Sequence, residues 1–204
     1  MSKLLFGSLL LFSTIGGSAL AAPTAQVEGG RTTVVLSEDF VNALGGLGVT
    51  PAAIAPARLN LHSGRISFPI PAGALDLGSL KGDIFHRGGL ELAVPGTKVS
   101  LLNFIIDTTG KKPILTGIAA VNGDVVDRLR LFRLELTEDP VVTESGTLKV
   151  RAVTVTLTNQ AADTLNAVFG LDGVFKPGFV VGHAYVRTHI DTTIDVYEAD
   201  EDDL

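Results

Sequence analysis

From His183 to Tyr197 the chain reads HAYVRTHIDTTIDVY. His183, Tyr185, Arg187, His189, Asp191, Thr193, Asp195 and Tyr197 fall at alternate positions, separated by Ala184, Val186, Thr188, Ile190, Thr192, Ile194 and Val196. A period of two sends the first set to one face of an extended strand and the mainly apolar second set to the other. A helix, with its period of 3.6, would mix the two. Shorter runs repeat the theme: Val34 and Leu36 share a face in RTTVVLS, and Ile66, Phe68 and Ile70 share one in SGRISFPI. GDIFHRGGLEL, TKVSLLNFIIDTT, PILTGIAAV, DRLRLFRLELT and TLKVRAVTVTLT read as further strands, and Asn122-Gly123 is a tight-hairpin signal. With 23 Gly and 9 Pro as punctuation, the pattern predicts an all-β, antiparallel sandwich or barrel-like fold.

Two segments depart from the alternation. In SEDFVNALGG, Ser37 suits an N-cap, Glu38 and Asp39 suit a positive helix start, and Gly45 suits an end. In VTLTNQAADTLNAVFG, Thr158 suits the cap, while Ala161, Leu165 and Phe169 form an apolar stripe joined by Ala162 and Val168. The two align without a gap: Leu36-Ser37 with Leu157-Thr158, Asn42 with Asp163, Leu44 with Leu165. The expectation is one strand–helix unit used twice, as scaffold.

The first 21 residues carry Lys3, an apolar run from Leu4 to Ile15 and the small-x-small Ala19-Leu20-Ala21, the three parts of a secretory leader. That run is too short for about 30 Å of hydrocarbon, and no later segment supplies 18 apolar residues, so a mature protein without a transmembrane segment is expected, periplasmic or extracellular. Export favours disulfides, yet the chain has no cysteine. This excludes a disulfide scaffold, a cysteine nucleophile and thiolate metal sites, and leaves the fold resting on its apolar core. The expected organisation is leader 1–21, flexible lead 22–30, a single β-rich domain 31–197 and an acidic tail 198–204. Five acidic residues stand in that tail, in a chain of net charge −6, which excludes a basic nucleic-acid footprint; the tail itself reads as a solvated end.

The standard catalytic motifs are absent: no G-x-S-x-G, no H-E-x-x-H, no phosphate-cradling G-x-x-x-x-G-K. His62 and Ser63 are neighbours, and adjacent strand side chains point to opposite faces, so they do not form a base–nucleophile pair. The densest set of functional side chains is on the last strand. His183 and Tyr185 lie within about 7 Å on one face, with Arg187 beyond them, close enough to address one ligand. These residues fit a non-catalytic exported module that binds a partner protein or a small ligand. A hydrolase assembled from distant residues is the remaining enzymatic alternative.

The middle of the chain carries a resemblance. SGRISFPI, then GALDLGSLKGDIFHRGGLELAVPGTKVSLLNFIIDTTGKKPILTGIAAV, is similar over about residues 60–136 to the HtaA-type domains of exported bacterial haem-uptake proteins. Gly82, Phe85, His86, Gly88, Gly89, Leu90 and Leu92 stand where that family has its F-x-G-H-x-G-x-L-D-L segment. The resemblance implies a haem-binding alternative, for which His86, or His183 with Tyr185, would serve. In the family a tyrosine near the domain start binds the iron and a histidine supports it. Here His86 is the residue that carries over, and no tyrosine precedes Tyr185. Apart from haem, no cofactor and no metal site is expected.

Overall fold

The computed structural model describes residues 23–191. The leader, the tail and the last part of the alternating run lie outside the described residues. Thirteen strands and two helices follow in the order β1 (Thr24–Leu36), α1 (Glu38–Gly46), β2 (Thr50–Ile54), β3 (Arg58–Asn60), β4 (Arg65–Pro69), β5 (Ala72–Asp76), β6 (Gly82–Phe85) and β7 (Gly89–Val94). Then come β8 (Thr97–Asp107), β9 (Ile114–Val121), β10 (Asp124–Glu135), β11 (Val141–Val142), β12 (Thr147–Leu157), α2 (Asn159–Phe169) and β13 (Val180–Asp191).

All pairings are antiparallel, as the short spacings require. The hydrogen-bonded path runs β12-β10-β9-β8-β6-β5-β1, and β13 joins β1 back to β12. The path therefore returns on itself, but it branches, so it is not a simple barrel. One flank of β1 pairs with β5 through Thr24–Val27 and with β4 through Arg31–Val35, while its other flank pairs with β13. β2 and β7 extend from β8 as a separate flap.

The β1 pairing corrects one expectation. Residues 24–30, expected within a flexible lead, form the first half of β1, with Ala25 and Val27 buried. The alternation is real, but a shift in register between Val27 and Gly30 interrupts it, and two adjacent glycines read as linker when the partner strands are unseen.

Both strand–helix units fold as their caps dictate. Ser37 Oγ accepts from Phe40 N, and Thr158 Oγ1 accepts from Ala161 N, each 3.1 Å away. Each helix grows directly out of a strand, β1 and β12, that flanks β13. The buried stripe of α2 is Ala161, Ala162 and Leu165; Phe169 is half-buried. From α1, Phe40 stacks against Phe175 and Phe179 at centroid distances of 6.3 and 6.4 Å. Asn122 and Gly123, both at positive φ, make the tight turn between β9 and β10 that the sequence announces. No described helix is long and apolar enough to cross a membrane.

Candidate functional site

The inward faces of the ring strands do not meet at the centre. They leave a cavity of about 410 Å³, within the usual range for a small-molecule site. Its wall is apolar: Ile66 and Phe68 from β4, Phe104 and Ile106 from β8, and Val186 from β13 are among its lining. Phe68 and Phe104 meet edge to face, centroids 5.1 Å apart at 86°.

One imidazole interrupts this wall. His86 follows β6 and is 4% exposed. Its backbone N donates to Phe104 O at 2.8 Å, which ties the residue to β8. The two glycines behind it are needed for close approach. Gly88 has φ +84, and a Cβ there would stand 2.5 Å from Ala57 N; a Cβ on Gly89 would stand 2.2 Å from Leu101 O. The HRGG stretch is thus a sharp passage from β6 to β7 that presses the histidine inward.

Nε2 of His86 and Oγ1 of Thr32, on β1, are 2.7 Å apart. Nδ1 is buried and has no hydrogen-bond partner among the described residues. Burial lowers the imidazole pKa from 6.5 to about 4, and the carbonyls of Phe104 and Ile84 oppose that shift only in part. The ring is therefore neutral at physiological pH, with Nε2 paired with a hydroxyl and Nδ1 beside the carbonyls of Phe104 and Ile84 without a full hydrogen bond to either. A buried polar atom left in this way costs about 1–3 kcal/mol, so a fold that retains one invites an explanation.

The pair of hydroxyl and imidazole also supplies two of the three members of a nucleophilic triad. Its other requirements are missing among the described residues: no carboxylate orients Nδ1, and the lining contains no Asp or Glu. No described group of three His, Cys, Asp or Glu residues could hold a metal ion.

The structure separates the sequence candidates. His86 lines the cavity; His183, Tyr185 and Arg187 do not. Those three are exposed on the outer face of β13, as its alternation requires, while Ala184, Val186, Thr188 and Ile190 are buried. Arg187 sits between Arg31 on β1 and Lys149 on β12, a row of three like charges across adjacent strands. Thr32 escaped the sequence reading because a threonine in a strand is ordinary, and its partner lies 54 residues away. The two lysines at the cavity rim, Lys81 and Lys111, escaped it for the same reason.

Three solved structures share this architecture. The C-terminal domain of HtaA from Corynebacterium glutamicum superposes with a TM-score of 0.64 at 14% identity, covering 82% of this chain and 99% of that one. The N-terminal domain of the same HtaA gives 0.60 at 12% identity, covering 81% and 99%. The haem-binding protein HtaB from the same organism gives 0.54 at 12% identity, covering 82% and 95%. The resemblance read over residues 60–136 therefore extends, as a fold, across most of the chain. No protein-family model and no curated protein sequence matches it.

Proposed function

We propose that the chain is a haem-binding module. The observation that carries this reading is the unpartnered Nδ1 of a neutral, buried imidazole in the wall of an otherwise apolar cavity. Iron in a porphyrin is held by just such a neutral nitrogen, and the flat macrocycle needs apolar walls around it. A fold shared with HtaB, a haem-binding protein, supports the same ligand. The family resemblance implies a tyrosine oxygen on the iron, supported by histidine. In this chain the hydroxyl beside the histidine belongs to Thr32, which does not ionise in the accessible pH range. Tyr185 faces outward, so His86 is the donor this cavity offers. Haem would supply the coordination site; the chain supplies the nitrogen, the apolar enclosure and the exclusion of water.

Titration of the mature protein with haem, followed in the Soret region, tests this. The expected result is a saturable, shifted Soret band that His86→Ala abolishes or returns to the position of free haem. A spectrum identical to haem in buffer, or a band unchanged in His86→Ala, would refute it.

A further inference from the structure

Among the described residues, the cavity lining contains two charged side chains, Lys81 and Lys111, and no acidic one. In a protein of net charge −6 that bias needs a reason. Both lysines are exposed, on neighbouring loops at one end of the ring: Lys81 just before β6, Lys111 between β8 and β9. A single residue fixes the two loops together. Thr108 Oγ1 accepts from Gly82 N at 2.8 Å, and its hydroxyl is 3.0 Å from the carbonyls of both Leu80 and Gly82. Lys81 Nζ donates to Thr109 O at 3.3 Å, so its ammonium is held toward the second loop.

Two acids near this rim, Asp76 and Asp107, are already engaged. Asp76 accepts from Ser79 N and Oγ, and Asp107 accepts from Thr109 N and Oγ1. These bonds keep both carboxyls below their ordinary pKa, so the acids are charged, but they are spent on holding the turns. Neither lines the cavity. The result is an apolar chamber whose mouth presents two ammonium groups on a pinned frame.

We propose that this mouth selects ligands that carry carboxylates, with Lys81 and Lys111 as the specificity-determining residues. The ligand class is an amphiphile with a large apolar body and one or two acid groups left at the rim. This deepens the haem reading and rests on the same cavity, but it does not depend on iron. An ammonium at the mouth attracts the carboxylate without removing it from water, so the desolvation cost of a buried pair is avoided. For two exposed pairs the expected gain in affinity is roughly 2- to 30-fold.

The test compares iron-free protoporphyrin IX with its dimethyl ester, using porphyrin fluorescence on the mature protein at low salt. The diacid should bind several-fold more tightly than the ester, and added salt should narrow the gap. In the double variant Lys81→Gln, Lys111→Gln the diacid should fall to the affinity of the ester, while the ester itself is unaffected. Equal affinities in the unaltered protein, or a gap that survives the double substitution, would overturn the proposal. If neither porphyrin binds, the haem reading is decided by the haem titration alone, and carboxylate selection by a second pair of ligands. A fluorescent long-chain fatty acid that binds better than its methyl ester would then still uphold carboxylate selection, and equal binding of that pair, or none, would overturn it as well.

Discussion

Stability should fall in mild acid because of one side chain. His86 is neutral when folded and titrates near pH 4, whereas in the unfolded chain its ordinary value is 6.5. Above pH 6.5 both states are neutral and the histidine contributes no pH dependence. Below it the unfolded chain takes up a proton that the native state refuses, so stability drops until the native pKa is reached. At 1.36 kcal/mol per pKa unit, the interval from 6.5 to about 4 gives a loss of roughly 3 kcal/mol when complete, of which about 2.5 kcal/mol develops between pH 7 and 4.5. Urea denaturation of the protein and of His86→Gln at both pH values isolates the effect. Exposed His62, His183 and His189, and the carboxylates, are common to both proteins and cancel in the difference. The stability of the unaltered protein relative to the variant should decline by about 2–2.5 kcal/mol on going to pH 4.5. A difference that stays constant to within about 0.5 kcal/mol would show that the imidazole is not held neutral by burial, and would remove the basis for calling it a free donor.

Three other substitutions probe the scaffold. Gly89→Ala forces a Cβ to 2.2 Å from Leu101 O; strain of that kind costs about 3 kcal/mol, and a melting temperature lowered by less than about 2 °C would refute the close approach. Thr158→Ala removes both the cap on Ala161 N and the bond to Arg130 O, and should cost about 1–2 kcal/mol by chemical denaturation. Arg187→Thr breaks the row Lys149–Arg187–Arg31 and should stabilise the protein by a few tenths to about 1 kcal/mol in low salt; the gain should shrink as salt screens the row, and a loss of stability would mean that the row is neutralised by an anion.

Much of the architecture could be read from local pattern. Alternation in the final strand named its buried and exposed sets residue by residue, Ser37 and Thr158 marked the two helix starts, and Asn122-Gly123 marked its turn. Each of these is decided within a few residues of chain. What could not be read is decided across the fold. The strand character of 24–30 depends on β5 and β13, which its glycines cannot announce. His86 could be picked out by the likeness of its segment to the HtaA-type domains, but that its nitrogen meets Thr32 depends on β1 lying opposite the β6–β7 passage. That His86 faces the cavity and the polar face of β13 does not could be known only once the ring closes, because only closure tells an inward face from an outward one.

That closure also relates the site to the absence of cysteine. With no cross-links, the ring is held by its ladders and by the apolar faces that line it. A cavity of about 410 Å³ within such a core forgoes side-chain packing contacts that a cysteine-free domain can ill spare. Beside it stands an imidazole that is kept neutral against its own solvation and lacks a partner for one nitrogen. Both costs fall at one place, and the sequence maintains them with specific residues: Gly88 and Gly89 to turn the chain inward, and Thr32 to fix the ring by its other nitrogen. Filling the space with larger side chains and replacing His86 by leucine would relieve both at once. A ligand bound as proposed would relieve them too, and would stabilise the folded state by an amount that grows with its concentration over Kd. The features that cost the fold stability are the same ones from which the proposed ligand would draw its affinity.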